Sequence, residues 1–443
     1  SETRNFMRTL HGTPGEKDLI AVKGSPAEVL DLCDRQLTEV DRLAIEIENE
    51  RMAGSGLRVL GVAYGYSDGS EGLDDQENLV WLGLVGMADP IRKGVKEVVG
   101  TFHQAGINTI MITGDQSPTA YAIGKELNLS QGEQLKIVDS TELIHLDPEV
   151  MEALCDRAHI FARVSPAHKL QIVQALQRAG KIVAMTGDGI NDAPALKAAE
   201  VGIAMGRADT DVAREVADVV LEDDDLQTMA IAISQGRTIY NNIRKSVHFL
   251  LSTNLSEILV MLSANAIGIG QPLNPLQLLW LNLVTDIFPG LALALEPPEP
   301  EVLRQPPRDP QEPIVQTSEF KRIAFESATL SASALGAYGY AIWRYGISPQ
   351  ASTIAFMSLT IGQLLHALSC RSKTHPLFSQ DKLPPNRYLA IALGGSLALQ
   401  LLSAVLPGLR YLLKIAPINL VDGTAIATSA LLPLLVNEGT KRS

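Results

Sequence analysis

From Val247 onward the chain is organised by apolar stretches that recur with few charges. Each is about 20 residues long, the length a helix needs to cross a hydrocarbon core of roughly 30 Å. Six spans are predicted: Val247–Ile269, Leu276–Leu295, Ile323–Tyr345, Thr353–Cys370, Tyr388–Leu406 and Ile418–Val436. No such stretch precedes about Arg244, where charged and apolar residues alternate as in a soluble domain. An even number of spans returns the C-terminus to the side from which the first one starts. Loops on that side carry Arg304, Arg308, Lys321, Arg322, Arg371, Lys373, Lys382 and Arg387, with Arg244, Lys245, Lys441 and Arg442 at the ends, whereas the opposite loops carry Arg344, Arg410 and Lys414. This bias predicts a multi-pass integral membrane protein whose soluble half faces the cytoplasm.

The net charge of -13 argues against nucleic acid as a partner, because phosphate contacts need clustered Lys and Arg. Cys33, Cys155 and Cys370 are scattered without paired spacing, so neither a disulfide framework nor a zinc site is indicated. The chain opens at Ser1 without a charged and apolar leader, and is expected to be a fragment without a signal peptide.

Within the soluble half, Asp18–Lys23 and Leu57–Tyr64 read as strands, and the spacing of Ala27–Arg51 predicts a helix between them. The run Leu79–Met87 is followed by Asp89-Pro90-Ile91-Arg92, where proline ends any regular element and makes a hinge. Beyond it, the buried-type strands Thr109–Ile112, Ile182–Met185, Val201–Ala204 and Val219–Leu221 alternate with helices, as in a parallel sheet covered on both faces. Two of them end in the same phrase, Thr113-Gly114-Asp115 and Thr186-Gly187-Asp188, at the strand ends where such sheets place ligands.

Asp188-Gly189-Ile190-Asn191-Asp192 follows an apolar strand and opens a helix at Ala193-Pro194, which sets two carboxylates and an amide at a helix N-terminus. Carboxylates bind Mg²⁺, the ion bridges to phosphoryl oxygens, and the helix dipole favours the anion. The plain reading is an Asn-Asp turn that only caps the helix. Thr113 and Gly114 offer a hydroxyl and flexible backbone to phosphate oxygens. Lys169, in Val164-Ser165-Pro166-Ala167-His168-Lys169, offers a point charge to a transferring phosphoryl group, or is simply a solvated surface group. Strand-end Thr, then Lys, then strand-end acids is the layout of the haloacid-dehalogenase-type phosphotransfer fold.

The twelve residues Met185-Thr186-Gly187-Asp188-Gly189-Ile190-Asn191-Asp192-Ala193-Pro194-Ala195-Leu196 resemble the hinge signature of P-type ATPases. Lys23-Gly24-Ser25-Pro26 is similar to that family's KGAP motif, and Asp89-Pro90-Ile91-Arg92 to its DPPR. The resemblance implies an α/β chain followed by an all-α membrane domain: 1–88 as part of a nucleotide-binding domain, 89–236 as the phosphorylation domain, and 237–443 as six membrane helices. It further implies Mg²⁺ as cofactor and ATP as substrate. Lys23 and Gly24 would lie beside the adenine, Arg58 would reach the β-phosphate, and Arg163 the ribose region. Asp188 would bind Mg²⁺ with Asn191 and Asp192 organising it; Thr113, Gly114 and Lys169 would stabilise the phosphoryl group, and Asp115 would link the nucleotide to the site. The family's nucleophile is an aspartate in a DKTGT segment, which does not occur between Ser1 and Ser443. That segment, the actuator domain and the first four membrane helices are expected upstream, on an N-terminal half acting as partner.

Ionisable groups inside a span are costly and therefore functional by default. Asn254 and Glu257 share one helical face of the first span; Asn282, Thr285 and Asp286 share one of the second, with Pro289 beyond to free backbone carbonyls. Together they offer the hard oxygen ligands that Ca²⁺ prefers. Leu278–Asp286 is similar to the sixth membrane helix of calcium pumps, which implies Ca²⁺ as cargo, exported across a plasma (inner) membrane. Na⁺ and Mn²⁺ stay open. Gln363 stands where the sarcoplasmic-reticulum type has glutamate and the plasma-membrane type has glutamine; it is a sixth cation-site residue or only a helix-to-helix hydrogen bond. His366, one turn on, is read as structural or interfacial. Residues from Asp225 through Tyr240 are expected to lead as helix from the catalytic domain into the first span. A soluble phosphatase of the same catalytic fold, and an inactive half-pump, are the rival readings.

Overall fold

The structure is a computed structural model that describes residues 5–12, 17–36, 42–55, 57–67, 79–87, 90–143, 147–187, 189–206, 211–223, 225–378 and 383–441, without the side chains of 34–36, 148 and 211. Asp188 and Asp89 lie outside the described residues. The chain divides into two compact units, Ser1–Ala230 and Ile231–Ser443.

The first unit begins with a five-stranded sheet of β1 (Phe6–His11), β2 (Asp18–Gly24), β3 (Cys33–Gln36), β4 (Arg58–Ser67) and β5 (Leu79–Met87), in the order β1-β2-β4-β5-β3. Its alternating residues Ile20, Val22, Ala63 and Trp81 turn to one face and bury Val29 and Leu30 of the helix Pro26–Asp31. The single helix expected over Ala27–Arg51 is therefore two, Pro26–Asp31 and Arg42–Gly54, separated by β3. Parallel pairing of Cys33 with Leu79 on β5 is a long-range contact that helical periodicity cannot register. Gly61 faces this core so closely that a Cβ would stand 2.7 Å from the Trp81 ring.

The rest of the unit holds two three-stranded parallel sheets. One is β6 (Met111–Ile112), β8 (Ile160–Ala162) and β7 (Ile137–Asp139), with β8 central; the other is β11 (Val219–Leu221), β10 (Val201–Met205) and β9 (Ala184–Gly187), with β10 central. β10 and β11 fall where expected, β6 and β9 are shorter or shifted, and β7 and β8, three residues each, were not anticipated. β6 and β9 are edge strands among the described residues, and Ile112 and Val183 pack into the cores beneath both sheets.

The second unit is helical. The helices are α1 (Leu226–Ile267), α2 (Pro275–Ala294), α3 (Thr317–Tyr345), α4 (Pro349–Ser369), α5 (Arg387–Val405) and α6 (Leu420–Gly439). Five of these are long and apolar enough to cross a membrane; α3 has the length, at 29 residues, but is less apolar. Ser327 and Ser331 donate to the carbonyls of Ser252 and Ser256 on α1, and Ser333 to that of Ser429 on α6, the close contact of small residues that holds helices together where solvent gives no hydrophobic drive. α4 is the most enclosed, packed against α3 and α6. A short helix, Pro407–Leu412, follows α5. Ion pairs hold the connections: Arg371 with Glu296, Lys245 with Glu299, and Arg244 with Glu312 and Glu319.

Candidate functional site

In the first unit, the chain leaving β6 turns at Thr113-Gly114-Asp115. The Thr113 amide donates to the Phe161 carbonyl at 2.9 Å, and the Thr113 hydroxyl accepts the Asp115 amide at 3.1 Å. The exit of β8 is laid beside this turn, because the amides of Arg163 and Val164 donate to the carbonyls of Asp115 (2.9 Å) and Thr113 (3.0 Å). Arg163 takes a left-handed φ of 54° to make that bend. Its guanidinium lies 3.7 Å from Asp139, which also accepts from Ser117 at 2.9 Å. Burial pushes the Asp139 carboxyl up, but hydrogen bonds from Thr141 and Ser117 and the charge of Arg163 hold it below its ordinary value.

The bend delivers the chain into the helix Pro166–Arg178, capped by Ser165, whose first turn presents Lys169. The Lys169 Nζ meets Asp192 Oδ1 at 2.5 Å, with both side chains largely buried. Asp192 ends a 3₁₀ turn, Ile190–Asp192, which opens the helix Ala193–Ala198. Gly187 at the end of β9 permits this approach: a Cβ there would stand 2.5 Å from Asp192 Cβ. Lys169 is thus paired with a carboxylate rather than solvated. Asn191 is exposed beside them. Asp192 and Asn191 supply oxygens of the hard type that Mg²⁺ takes, and the ammonium sits where it can neutralise an added anion.

Lys23 and Arg58 lie elsewhere. Lys23 on β2 pairs with Val62, four residues from Arg58 on β4, so both project from the solvent face of the sheet, about 13 Å apart along the strand. Gly24 is buried, its Cα so near β1 that a Cβ would be 2.4 Å from Phe6 Cα.

The second unit gathers oxygen and amide groups from three helices. Asp286 on α2 accepts hydrogen bonds from Thr253 (2.9 Å) and Asn254 (2.9 Å) of α1. Gln363 on α4 accepts from Thr285 (3.2 Å) and donates toward Glu257 (3.2 Å), Ser256 (3.3 Å) and the Thr253 carbonyl (3.3 Å). Thr253, Ser256, Thr285 and Gln363 are each fully enclosed, and Glu257 and Asp286 nearly so. The α2 helix widens to a π turn over Asn282–Asp286. Pro289 lacks the N–H that the carbonyl of residue 285 would accept in an α-helix. Five of the six residues singled out in the spans meet here, and the structure adds Thr253 and Ser256. Asn282 does not join them. It is exposed, because the buried face of α2 runs through Gln277, Leu281 and Val284, and Asn282 lies about 100° around from Leu281.

Residues 270–443 match the family described as cation transporting ATPase, C-terminus, and residues 32–200 match haloacid dehalogenase-like hydrolase. The chain is 38% identical to calcium-transporting ATPase 1 of Bacillus cereus over 98% of its own length and 52% of that protein. It is 36% identical to probable cation-transporting ATPase F of Mycobacterium tuberculosis over 95% of itself and 48% of that protein. With human calcium-transporting ATPase type 2C member 1 the identity is 35%, over 94% and 45%. A haloacid-dehalogenase-like domain followed by apolar helices is the class these matches and the fold define. The chain belongs to the P-type cation-transporting ATPase family, and spans about half the length of the curated relatives it matches.

Proposed function

We propose that this chain is the cation-binding and phosphate-stabilising part of an ATP-driven pump that exports Ca²⁺ from the cytoplasm. The observation that carries the reading is the convergence of Glu257, Asp286, Gln363, Thr253, Ser256 and Thr285 from three helices in a buried position, with the exposed Asn254 donating to Asp286 from its edge. Two carboxylates, hydroxyls and amide oxygens make a hard, flexible donor set suited to Ca²⁺, and two carboxylates in one enclosed site favour a divalent over a monovalent cargo. Na⁺ and Mn²⁺ remain outcomes of the test below.

The nucleophilic aspartate is assigned to a strand outside residues 1–443. It would enter as a parallel strand between β6 and β9, the edges that carry Thr113-Gly114-Asp115 and Gly187 at their ends. Asp188 and Asp192 would then hold Mg²⁺, which neutralises phosphoryl charge, and Lys169, Thr113 and Gly114 would bind the transferred group. Lys23, Gly24 and Arg58 would hold the nucleotide on the solvent face of the five-stranded sheet, Arg163 would reach its ribose region, and Asp115 would link it to the site. The soluble unit would lie in the cytoplasm and the helices in the plasma (inner) membrane.

ATPase activity of the protein together with the segment bearing DKTGT, titrated separately with Ca²⁺, Mn²⁺ and Na⁺, tests this reading. Activation by Ca²⁺ supports it, and activation by Na⁺ alone replaces the cargo. Residues 1–443 by themselves should form no acid-stable, hydroxylamine-sensitive acyl phosphate with labelled ATP.

A further inference from the structure

A second cluster in the membrane unit is built from different chemistry. His248 on α1, Glu326 on α3, and His366 and Cys370 on α4 turn four ligand atoms toward one another, all within 4.8 Å. His248 Nε2 lies 2.7 Å from Glu326 Oε2, His366 Nε2 lies 3.5 Å from the same oxygen, and Cys370 Sγ lies 3.4 Å from His366 Nε2. His366 and Cys370 are one helical turn apart, the spacing that puts two ligands on one face. Glu326, His366 and Cys370 are buried.

Along α1, Glu257 is nine residues beyond His248, roughly 14 Å of helix, while on α4 Gln363 and His366 are three residues apart, so this cluster adjoins the oxygen-lined site but shares no residue with it.

A helix-pinning network of hydrogen bonds would satisfy its own members, whereas here His248 Nδ1 is buried without a partner. Arg322 occupies Glu326 Oε1 at 2.5 Å, which leaves Oε2 between two imidazoles. The surroundings match a ligand shell instead. The Phe249 ring stacks on His366, centroids 6.3 Å apart, and fixes its plane. Asn437 stands 3.4 Å from His366 Nδ1, and its buried Oδ1 has no partner. Turning that amide over brings the oxygen onto Nδ1, which then carries the hydrogen and leaves the Nε2 lone pair directed at Glu326 and Cys370.

We propose that His248, Glu326, His366 and Cys370 bind a zinc-class divalent metal ion as a site distinct from the transported cation. Two imidazoles, a carboxylate and a thiolate are a four-coordinate zinc set, whose ligand atoms stand about 3.5 Å apart when the ion is in place, so the widest pairs, within 4.8 Å, close by about 1 Å while the His248–Glu326 pair, at 2.7 Å, opens by about as much. Binding releases the Cys370 proton to solvent, and the thiolate and the Glu326 carboxylate offset the dication, leaving the charge of Arg322, paired with Glu326 Oε1, as the excess. The ion ties α1, α3 and α4 together.

The test uses the full chain in detergent, stripped with chelator and titrated with Co²⁺ alone. The expected result is one Co²⁺ per chain with a near-ultraviolet thiolate-to-cobalt band that stoichiometric Zn²⁺ erases and excess Ca²⁺ leaves unchanged. Cys370→Ser loses the band, Cys33→Ser keeps it, and Asn437→Leu weakens binding by roughly 10- to 100-fold. The Glu299, Glu301 and His375 group has no sulfur and cannot give this band. Absence of the band in the unmodified chain, its survival in Cys370→Ser, or its loss to excess Ca²⁺ would overturn the proposal. Failure of Ca²⁺ to activate the pump would leave this result untouched, and the reverse also holds.

Discussion

In the soluble unit the corner proposed to bind phosphate is assembled mostly by backbone: the Thr113–Asp115 turn, the left-handed bend at Arg163 and the 3₁₀ turn before Ala193 each set a group at a strand end, and one ion pair, Lys169 with Asp192, closes it. In the membrane unit the cation cluster is assembled by side chains from three long helices that hydrogen-bond one another. Solvent explains the difference. At the corner, Asn191 is exposed and water can satisfy its amide, which stays available to a ligand arriving from solution. Inside a bilayer every polar group needs an internal partner, so the ligands of a transported ion must also be partners for one another. On the proposed function, the corner would acquire its ligand from solution, and the cargo would have to displace the hydrogen bonds of the cluster.

The difference extends to packing, and the largest expected effect breaks it directly. Phe161 on β8 and Phe356 on α4 are both fully buried. Phe161→Ala should destabilise the soluble unit by about 3–5 kcal/mol, because transfer and cavity terms both apply. Phe356→Ala should cost less, since lipid is as apolar as the helix interior and the loss is one of packing. Separate thermal unfolding of the two units, by near-ultraviolet signal and by detergent-solubilised helix content, would show this order; equal losses would erase the distinction. Lys169→Ala should come next, lowering phosphoryl transfer in the complete pump about 10²- to 10³-fold while cation binding is unchanged, measured by phosphoenzyme formation against equilibrium binding. Loss of both would place Lys169 in folding rather than in chemistry.

Much of this was legible in the chain itself. The spans are visible because an apolar run of that length has few other uses, and Glu257 and Asp286 stand out because a carboxylate there is costly. Thr253 and Ser256 were missed: Ser and Thr are unremarked in helices, where they donate to a preceding carbonyl, as Thr253 does to Phe249 at 3.1 Å. Asn282 was placed on the wrong side because an i, i+4 rule cannot decide which of two adjacent faces is buried, and the π turn departs from the 3.6-residue period. In the soluble unit the motif Thr113-Gly114-Asp115 was readable, but the bend that brings Arg163 to Asp139 was not, since nothing local announces a left-handed arginine. β3 was hidden for the same reason: its existence depends on β5.

Two smaller effects sharpen the comparison. Gln363→Ala removes hydrogen bonds to Thr285 and Glu257 and should weaken cation binding about tenfold, near 1.4 kcal/mol, whereas Asn282→Ala should leave it unchanged. The reverse order would move the site along α2. Burial pushes the Cys155 thiol up to about 11, above its usual 9.0, so it stays protonated at pH 8 and resists iodoacetamide while the half-buried Cys33 reacts. The sign follows from burial favouring the neutral thiol: this contribution to the stability of the soluble unit is present below pH 9 and is lost as pH rises from 9 toward 11. Cys155 alkylation matching that of Cys33 at pH 8 would mean that its core opens far more readily than the packing implies.

The claim that the two units belong to one cation pump rests on Asp286, the carboxylate on which α1 and α2 converge. Equilibrium binding of radioactive Ca²⁺ to the detergent-solubilised chain, compared with Asp286→Asn, tests it most directly. The account predicts saturable Ca²⁺ binding that the substitution abolishes while the Lys169→Ala variant retains it; Ca²⁺ binding that is unchanged in Asp286→Asn would contradict it.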